Sequence, residues 1–150
     1  MQSLLNQWFP NVIANWDMVL QSINETLFMV GWTAVIAGIV GMFFGVLLVI
    51  TGPRGIIENA YFYSILDKVI NVIRSVPFII LLALVVPLTR LIVGTSIGTI
   101  AAIVPLSIGS FPFYARQVQN ALVEVDPGII EAAQASGSSN IGIIFRVYLK

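Results

Sequence analysis

Residues 27–50 read L-F-M-V-G-W-T-A-V-I-A-G-I-V-G-M-F-F-G-V-L-L-V-I, twenty-four positions without a single charge. At a rise of 1.5 Å per residue this stretch makes a helix of about 36 Å, long enough to cross roughly 30 Å of hydrocarbon with some tilt. It starts after Asn24-Glu25-Thr26 and stops at Thr51-Gly52-Pro53-Arg54. Thr33, Ala37, Gly41 and Gly45 recur every fourth residue, so one face of the helix is smooth and open to close approach by another helix.

The rest of the chain agrees with a membrane class. Of 150 residues, 58% are hydrophobic and 9% charged, and the mean hydropathy is +0.97. Such a chain dissolves in lipid or sits inside a larger assembly. The net charge is zero, which points away from a nucleic-acid partner. With neither His nor Cys, imidazole chemistry, thiol nucleophiles, disulfides and thiolate metal sites all drop out. No acid, base, nucleophile and metal ligand converge on one place, so the chain is not expected to be an enzyme or to hold a cofactor or metal. Residues 1–24 contain no Lys or Arg and do not read as a signal peptide. Their apolar positions Val12, Ile13, Trp16, Val19, Leu20 and Ile23 keep helical spacing. With Trp8 and Trp16 they fit an interfacial helix on the extracytoplasmic membrane surface. A packed N-terminal arm fits them equally.

Two further spans are expected. Ser64, Asp67, Asn71 and Arg74 share one face of a helix that begins near Asn59. This helix is expected to enter the bilayer around Lys68, bend at Pro77 and leave near Leu88, so that residues 69–88 form the second span. The third covers 95–115, with Pro105 and Pro112 inside it. Those prolines line a route or bend the helix around a neighbour, the second reading being favoured. Arg74 either snorkels to the headgroups, the favoured reading, or faces the bundle and pairs with Asp67 (through Asn71) or with C-terminal carboxylates. Basic residues are absent before the first span and gather in the first loop (Arg54, Lys68, Arg74) and the tail (Arg116, Arg146, Lys150), against Arg90 alone in the second loop. The positive-inside rule then places the N-terminus outside and the tail in the cytoplasm. The expected fold is therefore all-α and integral to the membrane: three transmembrane helices, an N-terminal segment 1–24 and a cytoplasmic segment 126–149.

That cytoplasmic segment has its own punctuation. Asp126-Pro127 suits a helix start, Glu131 suits the positive end of the dipole, and Gly137 suits a left-handed stop. Ser138 and Ser139 open a second helix reaching Leu149. So short a helix is marginal in water and needs a surface to dock on. Ala132, Ala133 and Ala135 keep it slim enough for a narrow groove, although an amphipathic helix resting on the membrane reads the same way.

Here the chain resembles the permease subunits of type I ABC importers, whose cytoplasmic loop follows E-A-A-x-x-x-G-x9-I-x-L-P. Glu131, Ala132, Ala133, Gly137 and Leu149 match, Val147 stands at the Ile position, and Lys150 stands where Pro is expected. The likeness is nearest to the methionine-importer branch, through Arg74-Ser-Val-Pro-Phe-Ile-Ile-Leu-Leu82, Val93-Gly-Thr-Ser-Ile-Gly98, Ala101-Ala-Ile-Val-Pro-Leu106 and Pro112-Phe-Tyr-Ala-Arg116, over residues 24–149.

The resemblance implies a permease in the bacterial cytoplasmic membrane that forms part of an ATP-driven amino-acid importer. Its implied partners are an ABC ATPase subunit, a second permease copy and an extracytoplasmic substrate-binding protein, with membrane lipid around them. It also implies that Glu131 anchors the coupling helix, Ala132 and Ala133 permit close approach, and Gly137 turns the chain. Asp67, Asn71 and Arg74 remain as bundle-facing polar candidates, and no substrate contacts are assigned. Because members of that family continue with further spans, the chain reads as a fragment incomplete at its C-terminal end. The competing classes are a non-transporting membrane scaffold and a fragment of an ion-coupled secondary carrier. The span centres carry no acid, which disfavours the carrier.

Overall fold

The computed structural model describes residues 9–149, so the Trp8 reading and the place of Lys150 in the loop pattern lie outside the described residues. The described residues are helical throughout, joined by short turns. A five-residue helix α1 (Pro10–Ala14) leads into α2 (Trp16–Thr51). The N-terminal positions expected to form a separate surface helix from residue 11 to 24 instead run, from Trp16 on, directly into the first span. No Pro or Gly interrupts Trp16–Val30, so nothing in the backbone breaks the helix where the polar residues end. Helix α2 is thus about 54 Å long, well beyond the thickness of the hydrocarbon core. Of the described helices, α2 alone is singly long and apolar enough to cross a membrane.

Helix α2 ends where Pro53 disfavours a helical residue before it. The turn folds back onto the helix end, with the Ile57 amide donating to Ile50 O at 2.9 Å and the Asn59 amide to Thr51 O at 3.0 Å. Gly55 is required here, because a Cβ on it would lie 2.5 Å from the Val49 carbonyl oxygen. Asn59 then caps α3 (Ala60–Ser75), its side-chain oxygen accepting from the Phe62 amide at 3.0 Å.

Pro77 does more than bend this helix. Val76 is extended, as a residue before proline should be, and α3 stops there. Helix α4 (Phe78–Val93) leaves at 110° to α3, so the expected continuous span is two helices with a sharp corner. Gly94, at φ +83°, closes α4 with a left-handed cap in which its amide donates to Arg90 O. Helix α5 (Thr99–Val123) follows, with Pro105 and Pro112 in its interior and both buried.

The smooth stripe on α2 is the main seam of the fold. Ala37, Gly41 and Gly45 are buried against α5. A Cβ on Gly45 would lie 2.6 Å from Val118 Cβ and 2.7 Å from Ala115 O, so only glycine permits this approach. Gly41 faces Phe111 to Ala115 and Gly45 faces Ala115 to Val118, and the numbering rises together on both helices. Helices α2 and α5 are therefore parallel. The chain between them has to return once across the same depth, and the α3–α4 corner is that return.

Candidate functional site: the Asp126–Leu149 segment and the Arg116 clamp

After α5, Asp126 Oδ1 accepts from the Gly128 amide at 2.7 Å and opens α6 (Pro127–Ala135), with Pro127 in the first turn. At the other end the Ser138 amide donates to Ala133 O at 3.0 Å and the Gly137 amide to Gln134 O at 2.9 Å. With Gly137 at φ +76°, these two bonds form a Schellman stop. Nothing lies within 4 Å of a Cβ built on Gly137, so glycine is needed there for its backbone angle alone. Ser139 Oγ accepts from the Gly142 amide and caps α7 (Asn140–Ile143), which runs into a π-helical turn over Ile144–Tyr148.

The segment is fixed to the ends of α2 and α5 by a small apolar core. Val49 and Ile50 from the end of α2, Leu122 from the end of α5, and Ile143 and Tyr148 from the last turns are buried together. Ile130 and Ala133 of α6 pack against them. Burial raises the pKa of the Tyr148 hydroxyl, so it stays neutral at physiological pH. Glu131 and Ala132 are exposed on the outer side of α6. The four loop residues of the pattern thus separate: Glu131 and Ala132 face outward, Ala133 packs inward, and Gly137 makes the stop.

The polar face of α3 meets α5 in a compact network. Arg116 donates from Nη2 to Asp67 Oδ1 at 2.8 Å and to Asn71 Oδ1 at 2.9 Å. Asn71 in turn donates to Asp67 Oδ2 at 2.9 Å, and Arg116 Nη1 bonds the buried Gln119. This is the one ion pair among the described residues. Asp67 thus pairs directly with Arg116 of α5, with Asn71 bonded to both, and the less favoured reading of Arg74, a pair with Asp67 through Asn71, is not the arrangement formed. A helix of seven further residues carries Arg74 two turns away, while α5 brings Arg116 directly alongside. Arg74 is exposed beside an apolar cleft lined by Val76, Leu81 and Phe113. Arg116 was legible only as a basic residue of the tail; its spacing of three from Gln119 on one helix face was the available signal.

A third feature lies at the opposite end from α6. Helices α4 and α5 line a half-open cavity of about 390 Å³ between Phe78 and the Ser96–Gly98 turn. Its walls are mainly apolar, with Thr89 and Ser96 the polar side chains on it.

Residues 49–150 match the model of a family described as binding-protein-dependent transport system inner membrane component. The D-methionine transport system permease protein MetI of Salmonella typhimurium is 46% identical over 132 residues, covering 88% of this chain and 61% of that protein. A probable counterpart in Vibrio cholerae is 44% identical over 143 residues, covering 95% of this chain and 62% of the relative. Among solved structures, an inward-facing conformation of the MetNI methionine ABC transporter superposes with a TM-score of 0.86 at 45% identity, over 90% of this chain and 62% of the other. The chain spans about three fifths of the length of these relatives. The match embraces the end of α2, the α3–α4 corner, α5 and the whole capped segment that follows, and the chain belongs to the family of binding-protein-dependent transport system inner membrane components.

Proposed function

We infer that this chain serves in a permease that carries methionine across the bacterial cytoplasmic membrane when a separate ABC ATPase subunit hydrolyses ATP. A second permease copy and an extracytoplasmic binding protein complete the assembly. Helix α2, the α3–α4 pair and α5 are its three spans, with the N-terminus outside and residues 126–149 in the cytoplasm. The parallel run of α2 and α5 supports this topology, since it puts the end of α2, the end of α5 and α6 on one side.

The observation that carries the reading is the build of α6. It is capped at both ends, held from within by Ile130 and Ala133, and free on its outer face at Glu131 and Ala132. A short helix so fixed moves with the ends of α2 and α5 as one body. In this reading Glu131 anchors it electrostatically to the ATPase, and Ala132 admits a close approach. ATP then shifts the spans between inward- and outward-facing states only by the difference in its affinity for the two, as any coupled equilibrium demands.

The test is uptake of radiolabelled methionine into proteoliposomes holding the full-length permease, its ATPase and its binding protein. Uptake that requires ATP is expected. Uptake driven by a proton or sodium gradient without ATP would replace the importer with a secondary carrier.

A further inference from the structure

We propose that the cavity between α4 and α5 is a binding site for the transported amino acid, taking its apolar side chain among Phe78, Leu82 and Leu106 and its zwitterionic head beside Thr89 and Ser96. The inference rests on the transport reading above and names the part of the permease that meets the substrate.

The build of the cavity points to this ligand class. Its size of about 390 Å³ is that of a small-molecule pocket, and Phe78, Leu82 and Leu106 give it an apolar interior. Space is kept open on the α5 side by Gly98, Ala101 and Ala102, where larger side chains would fill it.

Acceptors for an ammonium group are present without any acidic side chain. Pro105 lines the cavity and has no N–H, so the carbonyl of Ala101, four residues earlier and on the same wall, lacks its ordinary helix donor. Thr89 is 3% exposed and gives its hydroxyl hydrogen to Val85 O at 3.0 Å, which leaves its oxygen lone pairs to accept.

A donor for the carboxylate is Ser96. Arg90 Nε donates to Ser96 Oγ at 3.1 Å, so the serine hydroxyl keeps its own hydrogen to donate to a carboxylate, with the exposed guanidinium bonded behind it. Finally, the parallel α2–α5 seam places the cavity away from α6, at the extracytoplasmic end, where a binding protein would deliver its cargo.

The experiment uses the full-length permease, with other cysteines removed, assembled with its ATPase in proteoliposomes. Ala102→Cys puts a thiol on the cavity wall; Val86→Cys puts a second on the facing helix; Leu84→Cys, 67% exposed and outside the cavity, is the control. Labelling by a small cationic methanethiosulfonate is timed with and without saturating methionine. We expect methionine to slow labelling at least five-fold at position 102 or 86 and to leave position 84 within two-fold. Unchanged labelling at both cavity positions, in complexes whose parent transports methionine, would overturn the site while leaving the importer reading intact. Equal slowing at all three positions would overturn it too, by indicating a general closure. A parent complex that takes up no methionine with ATP would defeat both.

Discussion

Asp67 and Arg116 are 49 residues apart in sequence and 2.8 Å apart in space, with side chains 27% and 20% exposed. Breaking an ion pair costs about 1 kcal/mol or less when it is exposed and about 3–5 kcal/mol when one charge is left buried alone. Their partial burial sets the expected cost of Asp67→Ala between these limits. In a double-mutant cycle, Asp67→Ala with Arg116→Met should be less damaging than the sum of the two single changes, because the second removes the orphaned charge. Denaturation midpoints of the purified permease in detergent read this directly, and strict additivity would mean that the pair does not act as one. Gly137→Ala forces a left-handed residue at a cost of about 1–2 kcal/mol, and Gly137→Asn should cost less because asparagine visits that region more readily. The same denaturation midpoints check that order. These two sites differ in how far they could be read beforehand. Asp67 and Asn71 were visible as one helix face, but nothing local told which distant helix would supply the cation. The stop at Gly137 is wholly local, and its residue type alone was enough.

Helix α2 shows how much of an element a sequence can carry. Its apolar run and its four-residue stripe were plain, and the stripe proved to be the α5 seam because small side chains leave no other use for so smooth a face. Its beginning was not plain, since polar residues in a helix that outreaches the bilayer look the same as polar residues before one. Pro77 likewise announced an interruption, but a proline does not encode the direction in which the chain resumes, and the 110° corner comes from packing. Gly45→Leu should separate α2 from α5, since even a Cβ meets Ala115 O at 2.7 Å. The expected result is loss of the folded permease from membranes, checked by yield and gel filtration, whereas Gly38→Leu, with open space around it, should be tolerated. The core under α6 makes a second prediction. Removing the Tyr148 ring should cost about 3–5 kcal/mol as a large-to-alanine change in a packed cluster. Tyr148→Phe should be close to neutral, as judged by protease resistance of the capped segment.

At the scale of the molecule, two parallel helices joined by a cornered return bring the ends of α2 and α5 together, and the capped segment is bolted to both by Ile143 and Tyr148. Motion imposed on α6 therefore reaches α2 and α5 at once. The Arg116 clamp ties α3 to the same body. The cavity at the far end of α4 and α5 stands at the other end of this lever. Coupling through α6 is read from the number of ATP molecules hydrolysed per methionine transported by the reconstituted importer carrying Gly137→Leu. ATP hydrolysis within two-fold of the parent and methionine uptake reduced at least ten-fold are expected, since the helix still docks but no longer turns the chain correctly. Uptake and ATP cost equal to the parent's would contradict that coupling and leave the segment a structural cap on a membrane scaffold.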